Sequence, residues 1–335
     1  MLPDKPQLSV LVPAFNAGRY IKEAIDSILN QTHADFELII ADDGSTDNTK
    51  EIIDGFKDPR IVISHNSFNQ GKTKTINRLF KETKGKFITI HDADDVSLPT
   101  RFEKQLEAFE NDADLILCGT SFYTVDKDGY LLEEISMPTS YEEILSGIAG
   151  ASQFHGPTMM MMKFFLSEFG ELYRPYFKDN YEDTDLAYRI SERGKAINLK
   201  DPLYIYRILE TSLCRNDVNI RNRNLYKVVA HLADQRKQRG VDDIMENRPE
   251  FVDDYFDRIT LKYKQDPALI YREATSYYFY WKLYRKARQA AWKGFLIRPF
   301  QLINLRTYLY VVRHQIFNFL NFEKSNKKHY KEVIF

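Results

Sequence analysis

Cysteine is scarce in this sequence, with only Cys118 and Cys214 in 335 residues. Neither belongs to a CxxC pair, which argues against a zinc site or a disulfide framework. Two isolated thiols fit a reducing compartment. Long apolar runs are also missing. No stretch reaches the roughly 18 uninterrupted apolar residues of a membrane-spanning helix, so any work at a membrane is expected from its surface. The opening residues, Met1-Leu-Pro-Asp-Lys-Pro6, have no apolar segment of the secretory type. No GxGxxG follows the first apolar run, which argues against a nicotinamide enzyme. Residues 66–73 end in Gly71-Lys72-Thr73, but Asn66 stands where a P-loop needs glycine, so an ATPase is not expected. There is no exact repeat and no low-complexity linker.

Acid is missing from one end. From Ser276 to Phe335 twelve Lys or Arg face two acids, a local net charge of +10. The first 275 residues therefore carry −11 of a formal total of −1. This tail also holds Tyr277 to Trp281, Trp292, Leu296, Phe300, Tyr308, Phe317 and Phe319. Basic helices with aromatic and aliphatic faces suit an anionic membrane interface, here through residues 277–331. The alternative is a helical appendage that packs its aromatics on the rest of the chain. Nucleic acid is a weaker third partner and is not expected.

Elsewhere the pattern is regular. Apolar runs at 8–12, 36–41, 61–64, 87–90 and 114–123 read as strands, alternating with helical patterns that begin near 16, 46, 73 and 99. That alternation predicts a mostly parallel sheet flanked by helices. Residues 125–130 read as a hairpin turn, 159–162 as a core strand, 182–193 as a helix and 196–206 as a strand. From about 217 the chain reads as helical. The expected division is a sheet domain over 1–215, in two parts that meet near 125, and a helical region over 216–335.

The predicted strand ends are acidic. The second ends in Asp42-Asp43-Gly44-Ser45 and the fourth in His91-Asp92-Ala93-Asp94-Asp95. Ligands in such sheets bind at the carboxyl ends of strands. Crowded carboxylates are costly unless a cation sits among them. A hard divalent ion sharing its shell with substrate phosphates would answer that cost. The plainer alternative for residues 42–47 is a turn and helix cap. Gly71, Lys72 and Lys74 at a helix start suit a diphosphate. Glu182, Asp183 and Asp185 either complement a helix dipole or supply a general base.

Residues 8–16 (LSVLVPAFN), 27–32 (SILNQT), 36–47 (FELIIADDGSTD) and Asp92-Ala-Asp94 together resemble the family 2 glycosyltransferases of the GT-A fold. The resemblance spans about residues 7–215 and implies that 1–215 is the catalytic domain, with 1–125 binding the nucleotide-sugar and 126–215 forming the acceptor side and carrying the base. It implies an inverting transferase that uses a nucleotide-diphosphate sugar, with uridine as the expected base, and Mn2+ or Mg2+. It implies a nucleotide-sugar site at Pro13, Ala14, Phe15, Asn16, Asp42, Asp43, Gly71, Lys72, Lys74, Asp92 and Ala93, and metal ligation by Asp94 and Asp92. The stretch 180–189 (NYEDTDLAYR) is similar to the family's catalytic segment, which maps the base onto Asp183 with Glu182 beside it. His155 and Arg207 are implied on the acceptor or leaving-group side. One departure is Leu209, where many relatives carry a metal-binding His. Either water or diphosphate fills that place, or metal binding is weaker, or Arg207 and Arg215 handle the leaving group. The acceptor implied is a saccharide or glycolipid hydroxyl, in surface-polysaccharide synthesis on the cytoplasmic face of a membrane. The rival reading is a GT-A-like protein that binds nucleotide or glycan without turnover.

Overall fold

The computed structural model describes residues 5–148, 152–209, 218–322 and 328–334, without side chains for 316–322. Cys214, Arg215, Phe317 and Phe319 therefore lie outside the described side chains. The chain divides into two compact units, one comprising Met1–Ile208 with His329–Phe335, the other Leu209–Lys328.

The first unit is built on a nine-stranded sheet: β1 (Leu8–Ala14), β2 (Phe36–Asp42), β3 (Ile61–His65), β4 (Phe87–Ile90), β5 (Val96–Ser97), β6 (Leu115–Val125), β7 (Leu131–Ile135), β8 (Met160–Met162) and β9 (Lys195–Arg207). Its order is β3-β2-β1-β4-β8-β6-β9-β5, with β7 paired to β6. The helices are α1 (Ile21–Leu29), α2 (Thr49–Asp54), α3 (Lys72–Glu82), α4 (Arg101–Asn111), α5 (Tyr141–Gly147), α6 (Lys163–Leu166) and α7 (Glu182–Ser191). The periodicity explains the packing. In α1 the buried residues are Ile21, Ala24, Ile25 and Ile28, a stripe at helical spacing. β1 and β2 are almost wholly buried, as expected of strands covered on both faces.

The longest pairings, β1 with β2 and β6 with β9, are parallel. The expected fifth parallel strand is displaced. β8 lies antiparallel between β4 and β6 and separates them. A run of buried methionines encodes burial but not direction, so the sequence could not place it. The expected helix start at Thr46-Asp47 also moves. Asp47 accepts hydrogen bonds from the Gly18 and Thr49 amides, and α2 begins only at Thr49. The Asp47 bond with the amide two residues on is the Asx turn that a short acidic side chain favours.

The second unit contains α8 (Ile220–Arg239), α9 (Pro249–Gln265), α10 (Leu269–Tyr280), α11 (Tyr284–Ile297) and α12 (Leu302–Phe322). Ala274, Tyr278, Ala287, Ala290, Ala291 and Val311 form a core across its last three helices, where small residues allow close approach. The final short helix, α13 (Tyr330–Ile334), returns to the first unit. The helical region is thus bounded on both sides, where the sequence predicted it would run to the end.

Candidate active site

The carboxyl ends of β1, β2 and β4 lie side by side, so the loops after them share one edge of the sheet. After β1, Phe15 is half-exposed and Asn16 takes a positive φ of 50°. The Asn16 amide donates to Ser45 Oγ, and its Oδ1 accepts from the Thr46 amide. Pro13 and Ala14 pair with Ala41 and Asp42.

The acids after β2 are spent locally. Asp42 accepts from the Ser45 amide at 3.2 Å and faces His65. Asp43 accepts from Asn66 Nδ2 and from the amides of Gln70 and Gly71, at 2.6 to 3.0 Å. The Thr73 amide, in the first turn of α3, donates to Asp179. The expected phosphate seat at Gly71 is therefore already occupied by the chain's own carboxylates. Lys74 is exposed on α3. The two acidic clusters do not converge on one cation as the strand-end reading expected, because the β2 acids serve as turn and loop acceptors.

Lys72 is where the elements meet. Its Nζ donates to Asp92 Oδ1 at 2.6 Å. Burial would lower its pKa, but Asp92, Tyr173 and Glu182 hold it well above the ordinary lysine value. Burial pushes Asp92 up, and Lys72 more than reverses this, leaving it below the usual carboxylate range. Asp94 is pushed up to about 6 by burial and by Asp92. His91 is fully buried and pushed down to about 3 by burial and Arg101, so its ring is neutral. Ala93 packs in the core.

The chemistry of Asp92 and Asp94 fits half of a cation site. Two crowded carboxylates sharing one lysine suit a hard divalent ion that completes its shell with water and diphosphate. Among the described residues no group of three His, Cys, Asp or Glu forms a cage. Leu209 offers no ligand atom, and Asp95 is buried, accepting from the Arg207 amide at 2.8 Å. The donor set fits a cation held jointly by protein and substrate.

Across from this loop stands the start of α7. It is entered through Tyr181 in a left-handed conformation, φ 63°. Asp185, fully buried between Arg174 and Arg189, anchors the helix and is structural. Asp183 Oδ1 accepts from the Thr184 amide at 2.7 Å. Its Oδ2 lies 2.3 Å from where a Cβ on Gly156 would sit, so only glycine leaves room for the carboxylate. Burial raises Asp183 above the usual carboxylate range, against the pull of Lys72. Glu182 is raised further, by burial and by Asp183.

The Glu182 shift has a consequence for stability. A carboxyl whose folded pKa is raised supports the fold fully below its unfolded value, about 4.3, and loses that support as pH climbs through the folded value. Glu182→Gln removes the ionisation. The variant is expected to match the parent near pH 4 and to melt about 2–4 °C higher at pH 8. Thermal scans at both pH values test this, and a variant that melts lower at pH 8 would contradict it.

Of the two residues implied on the acceptor or leaving-group side, Arg207 is taken up by the fold. Arg207 is 3 % exposed. It donates through Nε to the Asp94 carbonyl and through its terminal nitrogens to Glu23 and the Asp126 carbonyl. It holds the 92–95 loop and is not free to grip a leaving group. His155 stacks on Phe122 at 4.2 Å and meets Tyr206 edge-on.

Several residues escaped the sequence reading. Arg101, fully buried, donates to Ser97, Thr89, Gln105 and the Pro157 carbonyl. Glu23 receives Arg207, Tyr330 and Lys331 together, which ties α13 to the Arg207 clamp. Gly156 was legible only as part of the motif around His155.

The chain is similar to known proteins. The profile of glycosyl transferase family 2 matches residues 9–170. EpsE of Bacillus subtilis, provisionally named a glycosyltransferase, is 31% identical over 204 residues, covering 59% of this chain and 72% of that one. The chain belongs to glycosyltransferase family 2. An uncharacterized family relative from Methanocaldococcus jannaschii is 39% identical over 143 residues, and the match covers 42% of this chain but 49% of that protein. The crystal structure of S. aureus TarS residues 1–349 in complex with UDP-GlcNAc superposes with a TM-score of 0.58 at 17% identity, covering 91% of this chain and 90% of that one. At that identity the likeness shows the fold alone, a GT-A fold with a C-terminal helical region.

Proposed function

We propose that this family 2 protein transfers a sugar from a nucleotide-diphosphate sugar, uridine-linked, to a hydroxyl of a saccharide or glycolipid, with inversion at the anomeric carbon. One observation carries the reading: Lys72 bonds Asp92 and is coupled electrostatically to Glu182 and Asp183. The β4 loop and the start of α7 thus form one charged cluster at the strand ends. The UDP-GlcNAc held by TarS supports the donor class.

In this mechanism Asp183 is the general base. It takes the proton of the acceptor hydroxyl as that oxygen attacks the anomeric carbon, a role worth roughly 10²–10⁴-fold. Burial raises its basicity, and the Thr184 amide holds Oδ1, which leaves Oδ2, beside Gly156, to take the proton. Glu182, raised by burial and by Asp183, stands beside that carboxylate. Lys72 balances the cluster and offers its cation to the donor diphosphate. A divalent ion held by Asp92 and Asp94, when bound, would supply Lewis-acid neutralisation of the departing diphosphate. Arg207 and Glu23 keep the Asp94 backbone in register. Pro13, Phe15 and Asn16 line the base side of the donor.

The test is release of nucleoside diphosphate by the purified chain across a panel of nucleotide-sugars, with Mn2+, Mg2+ or chelator. The expected result is metal-dependent release from one donor. Absence of both release and binding by every donor in calorimetric titration would overturn the reading; binding without turnover, even with acceptors supplied, would favour a non-catalytic module.

A further inference from the structure

The second unit carries a face that the transfer chemistry does not use. Between Glu273 and Glu323 the sequence has no Asp or Glu and eight Lys or Arg. In α11, α12 and the turn between them, large apolar side chains stand in solvent. Phe300 is 97%, Leu302 69%, Leu296 58%, Leu309 55%, Ile303 54% and Trp292 43% exposed. Lys293, Arg298, Arg306 and Arg313 are exposed in the same segment. These apolar groups are not core left unpacked, since Ala287, Ala290, Ala291 and Val311 already close the contact among α10, α11 and α12. Beside the face, a groove of about 520 Å³ is lined by Arg306 with the rings of Phe279, Tyr280 and Tyr310.

Isolated exposed apolar residues need no explanation, but a contiguous set rimmed by charge of one sign does. We propose that this face docks on an anionic lipid bilayer, with Phe300, Leu302 and Leu296 entering the acyl boundary and the surrounding cations lying at the phosphate level. Aromatic and aliphatic groups with Lys and Arg along one helical surface are the composition of an interfacial helix. Among the described residues no helix is long and apolar enough to cross a membrane, so the contact is peripheral. A second copy is a poorer occupant. Two such faces would set Lys293, Arg298, Arg306 and Arg313 against the same cations of the other copy, and like-charge juxtaposition is costly. A nucleic acid would leave the apolar corner at Phe300 unmatched.

The proposal is independent of the transferase reading, and its test uses the full chain. Sedimentation with vesicles compares phosphatidylcholine alone and phosphatidylcholine with roughly one third phosphatidylglycerol, at low and high salt. Binding is expected on the anionic vesicles and weakened by salt. The double variant Arg298→Gln, Arg306→Gln should lower partition about 25-fold, near fivefold per cation. The pair Phe300→Ser, Leu302→Ser should lower it at least about tenfold with an unchanged Tm, because both side chains are exposed. No vesicle binding would overturn the proposal. So would equal binding to neutral vesicles that ignores the arginine changes. A dimer in sedimentation velocity that the Phe300 and Leu302 changes dissolve, or binding to a nucleic-acid duplex alone, would assign the face to another partner and overturn it as well. Diphosphate release measured in parallel separates loss of docking from loss of catalysis.

Discussion

Asp183→Asn is expected to lower kcat by about 10²–10⁴-fold while leaving donor affinity within about twofold. The substitution keeps an oxygen for the Thr184 amide, which Asp183 now accepts at 2.7 Å. It also keeps the side-chain volume that fits against Gly156. What it removes is the capacity to accept a proton. Because burial holds the Asp183 carboxyl above the ordinary carboxylate range, the acid limb of kcat/KM in the parent should lie above about pH 4. That limb should vanish in the residual activity of the variant. Folding should not suffer, since a neutral amide replaces a charge that the site disfavours. Diphosphate release, donor titration and a pH profile check the three parts. Near-normal turnover by the variant would remove Asp183 from the mechanism.

Arg101→Met should destabilise the first unit by about 3 kcal/mol or more. The guanidinium is fully buried and is solvated by Ser97 Oγ, Thr89 Oγ1, Gln105 Oε1 and the Pro157 carbonyl, beneath the Tyr204 ring at 4.9 Å. Methionine fills similar space but leaves those acceptors without a donor. The Pro157 contact also fixes the turn that carries Gly156, so activity should fall at temperatures where the variant is still folded. Arg101→Lys should recover only part of the loss, because one ammonium cannot reproduce a planar fork reaching four groups. Denaturant unfolding and diphosphate release together test this. A loss under about 1 kcal/mol would show that the network is not a determinant of the fold.

The parts of the site that were legible and those that were not differ in kind. Asp92, Asp94, Glu182 and Asp183 stood out because charged residues ended or opened apolar elements, and such positions map onto one edge of a sheet. Asp42 and Asp43 stood out equally, yet they accept bonds from their own and neighbouring loops. An acidic cluster reads the same whether its lone pairs are spent on amides or left for a cation. Arg101 was invisible for the opposite reason. An arginine at the first position of a helix looks solvated, and only the packing of β4, β5, β9 and the Pro157 turn around it puts it in the interior. Arg207 was expected to reach a leaving group and is instead clamped by Glu23 and the Asp94 carbonyl.

The sequence by itself determined the strand and helix alternation, the acidic strand ends and the cationic tail, which are written in local period and composition, and the membership in glycosyltransferase family 2, which is written in its motifs. Tertiary structure alone decided the antiparallel insertion of β8, the return of α13 to Glu23, and which carboxylates remain available at the strand ends. Those depend on pairings between residues far apart in the chain, such as Tyr330 with Glu23 and Asp179 with Thr73. A hydrogen bond forms where two groups meet, and no local pattern says which groups will.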